Sequence, residues 1–451
     1  MGAATAAPVT GSVAESVAYA PYPAPAAATE RTAGSPASDR VAATGEKTLA
    51  GELDEIMQER SPEFRLGTQV RTRNGESGVS KLTDIQTPME IAFPVGDDRV
   101  TLRATPVSLN AGSIGSSYYS SSTFGGGPVS ALNQLDGLTA GPGSQRQRGV
   151  GLSAVYATRG VTADAGVTPL GFIYKTFTGG IRFDGTVDDA NTLSYDFNVS
   201  RRPVTDSVLS FAGARDRRSG ETFGGVSATG ARLQLTKDFG DFGFYGAGSF
   251  YDLSGHNVAS NNRAEVGAGL YYHLIRSSDS LLTTGLNASG IFYDRNLRYF
   301  TYGHGGYFSP QQFYALNVPL SWSQRSDNFT YQVRGSIGLQ RFKENDADYF
   351  PGDGNRQSLA DIAQASAVGR GLSGSSRAVY DGQTKTGIGY SLGAAGEYRV
   401  APQLYFGGSL AMDNASDYRQ LAGGLYMRYM FYPQSGQMAL PVSPYRSPYG
   451  Q

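Results

Sequence analysis

The sequence contains no cysteine and only three histidines among 451 residues. A chain without cysteine has no disulfide framework, thiol nucleophile, iron–sulfur centre or thiolate zinc site. The histidines, His256, His273 and His304, are far apart and form no HxxxH or HExxH pair, so a histidine-based metal site is not expected. These shortages predict a protein with neither a metal nor an organic cofactor.

Charge is scarce and balanced. Charged residues make up 17% of the chain, and 38 basic against 39 acidic residues leave a formal net charge of −1. Nucleic-acid-binding proteins carry a basic excess, so no nucleic-acid partner is expected. No apolar run reaches the roughly 18 residues of a transmembrane helix. The mean hydropathy of −0.31 still allows a membrane β-barrel, because only alternate strand residues face lipid.

The first part of the chain, residues 1–50, is rich in Ala, Pro, Ser, Thr and Gly. Such a segment buries too little apolar surface to offset the entropy of ordering, so it predicts a disordered linker. A short helix is predicted at 51–60, where Leu53, Ile56 and Met57 follow helical spacing. No signal peptide is visible at the start. If the protein crosses the inner membrane, we expect residues upstream of Met1.

From Glu63 onward the hydrophobic period changes to two, as in 64–70, 193–199, 331–339 and 425–431. This alternation predicts strands about ten residues long. Further segments of this kind lie near 79–93, 99–109, 150–158, 161–167, 177–185, 207–213, 229–237, 241–251, 264–276, 281–293, 313–324, 387–399 and 404–412. The segments number seventeen. Because bacterial single-chain barrels use even numbers, we expect one segment before residue 225 to be wrong and predict about 16 strands.

The connections between these strands differ in length. Short turns roughly alternate with long Gly- and aromatic-rich segments at 110–148, 294–312 and 342–386. Outer-membrane barrels have short periplasmic turns and long extracellular loops. We therefore assign 51–431 to an outer-membrane barrel and 432–451 to a Pro-rich C-terminal tail.

A soluble β-sandwich also alternates, but three features favour lipid. The strands are consecutive with almost no helix to cover an apolar face, their polar positions are partly charged, and Tyr and Phe cluster at strand ends as in interfacial girdles. The fold class is thus all-β, a transmembrane antiparallel β-barrel. The polar positions give the predicted lumen-lining residues: Arg65, Gln69, Arg71, Asp196, Asn198, Arg232, Gln234, Gln332, Arg334 and Gln340.

One segment, 296–311, is unusually rich in aromatic residues. Its rings and imidazole are Tyr299, Phe300, Tyr302, His304, Tyr307 and Phe308. Aromatic faces stack on pyranose rings, so the segment is a candidate glucan-contacting or gating loop. The alternative is a compact loop whose rings pack on one another.

Carboxylate pairs suited to glycoside hydrolysis are not convincing. Asp184 with Asp188 and Asp189, and Asp413 with Asp417, lie at strand-to-turn junctions, where Asp is favoured for turn formation alone. No G-x-S-x-G elbow occurs. We predict no catalytic residue and no enzymatic activity.

Eight stretches resemble the C-terminal outer-membrane domain of the cellulose synthase operon protein C family and occur in family order. They are ELDEI (52–56), SGVSKLTDIQTPMEIAFPV (77–95), TLRATPVSLNAGS (101–113), ADAGVTPLGF (163–172), RRPVTDSVLSFAGARD (201–216), SGHNVASNNR (254–263), NLRYFTYGHGGYFSPQ (296–311) and DNASDYRQLAGGLYMRYMF (413–431).

The resemblance implies a 16-stranded barrel that exports a nascent β-1,4-glucan (cellulose) chain. It implies as partners the cellulose chain, a periplasmic helical-repeat scaffold and the inner-membrane cellulose synthase complex, although the repeats are absent from this sequence. An outer-membrane barrel further implies membrane lipid and the barrel assembly machinery. A general diffusion porin is the alternative, and a β-structured glycan-acting enzyme is a second one.

Overall fold

The computed structural model describes residues 60–188, 192–415, 418–445 and 447–449. The predicted linker at 1–50 and all of the predicted helix except Arg60 lie outside the described residues.

The described chain folds into one closed antiparallel barrel of 16 strands, which confirms the predicted fold class. The strands are β1 Glu63–Arg73, β2 Leu82–Gln86 with Met89–Val95, β3 Asp98–Ser113, β4 Ser144–Thr158, β5 Val161–Val167, β6 Phe177–Thr186, β7 Leu193–Pro203, β8 Thr222–Asp238, β9 Phe242–His256, β10 Val258–Arg276, β11 Ser280–Tyr293, β12 Gln312–Arg325, β13 Phe329–Glu344, β14 Gln383–Ala401, β15 Leu404–Ala415 and β16 Tyr418–Met430. Each strand pairs with the next, and β1 closes the barrel on β16, from Glu63 opposite Met430 to Arg73 opposite Gln420.

The alternation in the sequence separates the two faces of the wall. On β12, for example, Leu316 is 47% and Leu320 50% exposed on the outside, whereas Phe313 on the inner face is 2% exposed. The exposed apolar rows form a continuous outer belt, which a barrel presents to lipid hydrocarbon. The belt and the closed pairing place the protein in the outer membrane.

The two ends of the barrel are unequal. The connections at the turn end span at most six residues (96–97, 159–160, 187–192, 239–241, 277–279, 326–328 and 402–403). The connections at the loop end include 114–143, 204–221, 294–311 and 345–382, and they carry the helices α1 Tyr118–Ser122, α2 Gly127–Leu135, α3 Val208–Ala212 and α4 Gly354–Gly369. None of the helices in the described ranges has the length and apolarity that a membrane crossing requires.

The prediction of a strand at 207–213 is wrong, and its removal leaves sixteen. The segment forms α3, whose five residues are all buried. Ser207 and Ser210 form a reciprocal capping box at its start, in which each side chain accepts the other's backbone N–H. That local signal outweighs β propensity. The helices α1, α2 and α4 lie in the long connections that the sequence predicts at 110–148 and 342–386.

Candidate functional site: the capped lumen

The inner wall of the barrel carries charges of both signs, and several of them form ion pairs. Arg71 Nη2 lies 3.0 Å from Asp84 Oδ2, and Arg202 Nη2 lies 2.6 Å from Asp164 Oδ1. Arg428 of β16 forms an ion pair with Glu397 of β14, whose carboxylate also accepts the Tyr426 hydroxyl at 2.9 Å. The lumen is therefore polar without a strong field of one sign.

The ten residues predicted to line the lumen lie on inward-facing rows of β1, β7, β8 and β13, alternating with outward-facing neighbours. Asp196 Oδ2 lies 2.6 Å from Arg182 Nη2. Arg232 donates to Gln234 at 2.9 Å, and Gln332 donates to Ser321 at 3.2 Å. The structure thus distributes the ten around the wall rather than gathering them into one pocket. Their contact with a polymer stays a prediction.

The C-terminal tail re-enters the barrel from the turn end. Arg399 donates to the carbonyl of Gly436 at 2.6 Å, and Arg325 donates to that of Met438 at 2.9 Å. Further along, Gln69 Nε2 donates to the carbonyl of Tyr445 at 2.7 Å. Each donor is a wall side chain and each acceptor is tail backbone, so the wall holds the tail by its main chain.

The end of the tail reaches the loop-end half of the lumen. Ser447 Oγ donates to Gln86 Oε1 at 2.7 Å. Tyr449 is 4% exposed and packs with Phe211 of α3. A Cβ at position 151 would lie 1.5 Å from the Tyr449 hydroxyl oxygen, so Gly151 leaves room for this ring.

The loop end is closed by a cap, which we define as the connections 114–143, 204–221, 294–311 and 345–382. These connections share one apolar cluster with the start of β8. Phe124, Phe300, Tyr302 and Phe350 come from the connections and Phe223 from β8. Two residues from each of two connections also pair directly: Phe300 lies opposite Phe124 in a short parallel bridge. The cap therefore has a small core of its own above the lumen.

Ion pairs of two kinds join the parts of the cap. One buried pair lies within connection 204–221, between Arg218 and Asp216 at 2.8 Å, and another joins Arg298 of the cap to Glu344 at the end of β13. Arg218 also donates to the carbonyls of Ser121 and Phe124, at 2.9 and 2.6 Å. An exposed pair links Arg370, just after α4, to Asp136, just after α2, at 2.5 Å.

The aromatic segment 296–311 lies at the centre of this cap. Phe300, Tyr302, Tyr307 and Phe308 are 6% exposed or less. Tyr299 stacks on Tyr380 with ring centroids 3.6 Å apart. In the structure the rings pack within the cap, as the compact-loop alternative describes.

His304 is fully buried among these rings. Its Nε2 lies 3.0 Å from the carbonyl oxygen of Asp348, and the rings of Tyr299 and Tyr380 contact its edge. Burial lowers its pKa from 6.5 to about 4. The imidazole is therefore neutral at physiological pH.

Sequence reasoning missed the residues that hold the tail. Arg325 and Arg399 lie at turns, where a charge is unremarkable, and Tyr445 and Tyr449 lie in a Pro-rich segment without hydrophobic period. The repeated Ser-Pro-Tyr at 443–445 and 447–449 is the one available signal.

Neither carboxylate pair considered for hydrolysis forms a described catalytic site. Asp188 accepts the backbone N–H groups of Thr192 and Leu193, each at 2.8 Å, so it serves the turn. Asp417 lies outside the described residues. Within the described ranges, no group of three or more His, Asp or Glu side chains is placed to hold a metal ion.

A closed barrel with an apolar outer belt, a polar lumen and a capped end defines a channel-type outer-membrane protein. A family model described as the C-terminus of cellulose synthase operon protein C matches residues 80–432. The chain belongs to this family, as its sequence motifs indicated.

Relatives named cellulose synthase operon protein C agree with that assignment. The protein from Pseudomonas fluorescens (strain SBW25) is 44% identical over 88% of this chain and 29% of its own length. The protein from Xanthomonas axonopodis pv. citri (strain 306) is 31% identical over 85% of this chain and 34% of its own length. The chain thus spans about a third of the length of these relatives.

Solved structures of outer-membrane proteins are similar in outline only. A bacterial polysaccharide outer membrane secretin has a TM-score of 0.49 and 11% identity, covering 83% of this chain and 99% of its own. Pseudomonas putida OprB at high pH has a TM-score of 0.38 and 8% identity, covering 85% and 97%. The fold assignment rests on the strand pairing described above.

Proposed function

We propose that this barrel is the outer-membrane channel through which a neutral β-1,4-glucan chain, cellulose, leaves the periplasm. We propose further that the structure is its closed form. The observation that carries the proposal is a polar lumen that the chain itself occupies twice, with the cap over its loop end and the C-terminal tail held against its inner wall. Family membership supplies the choice of polymer.

The chemistry of the lumen suits an uncharged polymer. Paired charges such as Arg71 with Asp84 present hydrogen-bonding groups without a strong attraction for ions of one sign. Gln69 and Gln86 hold the tail through amide hydrogen bonds that glucan hydroxyls can also make. Displacing the tail exposes these groups, so we infer that tail and polymer compete for the same wall.

Passage through the lumen is passive in this proposal. The driving force comes from polymer synthesis in an inner-membrane cellulose synthase complex. A periplasmic helical-repeat scaffold guides the chain to the turn end. The barrel assembly machinery inserts the protein into outer-membrane lipid. We propose no enzymatic step in the barrel.

The test is single-channel conductance of the purified full chain in planar bilayers, with and without cellohexaose. We expect rare, brief openings that cellohexaose blocks. Changing both Phe300 and Tyr302 to Ala removes two rings from the cap core and should make openings frequent. Phe329→Ala, which removes a ring that is 40% exposed on the outer face, is the matched control.

Three outcomes contradict the proposal. Steady large conductance of the unaltered chain, indifferent to cellohexaose, identifies a general diffusion porin. Shortening of cellohexaose during the measurement identifies a glycan-acting enzyme. Frequent openings that cellohexaose never blocks show a gated pore for another solute.

A further inference from the structure

Two strands carry pairs of cations on the outer surface near the loop end. Arg146 and Arg148 alternate with inward residues on β4 and are exposed. Arg341 and Lys343 do the same on β13. Alternate residues of a strand share one face, so both members of each pair point outward.

Each pair borders the apolar belt in the same way. The next two outward positions toward the barrel centre are Val150 and Leu152 on β4, and Leu339 and Ile337 on β13. Their exposed fractions of 40%, 47%, 61% and 58% mark lipid-facing positions. The cations therefore lie at the level where hydrocarbon ends and lipid headgroups begin.

These four cations differ from those of the inner wall. Within the described ranges none of the four side chains has a hydrogen-bond or ion-pair partner, whereas lumen arginines such as Arg71 and Arg202 face carboxylates.

The strands beside the two pairs place only neutral residues opposite them. Ser108 and Asn110 lie opposite Arg148 and Arg146. Tyr314 and Gln312 lie opposite Arg341 and Lys343 on one side, and Thr386 and Thr384 on the other. Asp346, three residues beyond Lys343, accepts the N–H of Gly382 at 2.6 Å.

We propose that each pair binds the phosphate of a phosphorylated lipid in the outer leaflet, with the lipid's acyl chains lying along the apolar row below. A guanidinium offers phosphate two parallel N–H donors, and cations at a membrane surface attract anionic lipid. A bound lipid, unlike free phosphate, also uses the adjoining hydrophobic row. The site depends on the outer-membrane location and is independent of the proposed glucan transport.

The test uses the purified full chain in detergent and the diphosphorylated lipid A of the outer leaflet, with bound lipid counted by native mass spectrometry. Changing both Arg146 and Arg148 to Gln, or both Arg341 and Lys343 to Gln, should weaken lipid A binding roughly tenfold. The matched control is Arg159→Gln, because Arg159 is also exposed and follows the other end of β4. It should change nothing.

A second experiment tests whether binding requires both the phosphate and the acyl chains of the lipid. Lipid A stripped of phosphate should bind unaltered chain and double variants equally weakly, and inorganic phosphate should compete poorly. The proposal is overturned if dephosphorylated lipid binds as well as lipid A. It is also overturned if inorganic phosphate displaces lipid A at equal concentration, or if folded double variants bind like the unaltered chain.

Discussion

Tyr449 packs against Phe211 with ring centroids 5.1 Å apart and planes inclined at 57°. Phe211 belongs to cap helix α3, and Tyr449 lies near the end of the C-terminal tail. The contact joins the two obstructions of the lumen. Phe211 also meets Phe172 edge-on at 5.1 Å, which ties the pair to the β5–β6 connection. Displacement of the tail should therefore alter the packing of α3 in the cap.

Removing the Tyr449 ring should release the tail. Burial of one aromatic side chain stabilises a contact by about 2 kcal/mol. We expect Tyr449→Ala to increase hydrogen exchange in both the tail and α3, and Tyr449→Phe to preserve protection. Tyr432→Ala, at a ring 46% exposed, is the control. Faster exchange in the tail alone would refute coupling to α3.

A covalent lock tests whether the tail must leave the lumen. The chain has no cysteine, so an engineered pair is free of competing thiols. Gln86 and Ser447 side chains touch at 2.7 Å. With both changed to Cys and oxidised in the Phe300/Tyr302 cap variant, we expect openings to disappear and a reductant to restore them. Ser447→Cys alone should behave as the unlocked channel, and conduction through the oxidised pair would show that the tail does not block.

The buried ion pair between Arg298 and Glu344 should control opening. The Arg298 and Glu344 side chains are 2% and 0% exposed, and Glu344 also accepts a hydrogen bond from Gln383. Arg298→Met leaves a buried carboxylate without its cation, which destabilises by about 3 kcal/mol. We expect openings to become roughly a hundredfold more frequent, and the added change Glu344→Gln to reverse part of that increase.

The exposed cap pair supplies the comparison for that experiment. Arg370 and Asp136 are 42% and 44% exposed, so solvent screens their attraction. Arg370→Met should therefore change the opening frequency far less than Arg298→Met does. An equal effect of Arg370→Met and Arg298→Met on opening frequency would contradict the role given to burial.

Closure should weaken in mild acid. His304 has a pKa of about 4 in the closed cap against an ordinary value of 6.5, so the closed form favours the neutral ring. The contribution of His304 to the stability of the closed cap is complete above pH 6.5 and is lost as pH falls from there toward 4. We expect openings to become more frequent over this interval, and His304→Gln to lack that pH dependence.

Two partly buried carboxyls, Asp206 and Glu76, oppose this trend. Burial raises the pKa of Asp206 and of Glu76, so their stabilisation is complete in acid and is lost as pH rises through their raised pKa values. The difference between His304→Gln and the unaltered chain isolates the histidine. Identical pH profiles of the two would exclude His304 as the source.

The strands of the barrel wall could be predicted from the sequence, whereas the cap helices and the tail inside the lumen could not. On β4 the exposed Val150 and Leu152 flank the buried Gly151. This two-residue period arises because one face of the strand meets lipid and the other meets water and polar groups. Removing one segment, 207–213, brings the strand number to that of the structure. In α3 the period fails because cap and wall bury all of its sides.

The positions of the cap and the tail could not be predicted, because both depend on contacts between distant parts of the chain. Phe124 and Phe300 meet in the cap, and Gln69 meets Tyr445, although nothing near either residue in sequence marks its partner. Asp353, whose side chain accepts the N–H of Arg356 at 3.0 Å at the start of α4, is a local signal for that helix. N-cap residues of this kind predict helices, but the position of those helices in the fold depends on tertiary packing.

Closure of the barrel between β1 and β16 sets an order on assembly. The tail begins directly after the strand that completes the wall, so no lumen exists for it to enter until first and last strands have paired. A barrel whose first and last strands are not yet paired therefore has no closed lumen for the tail to occupy. We expect the tail to enter the lumen only after β1 and β16 have paired, so a tail seated against the wall marks a closed barrel.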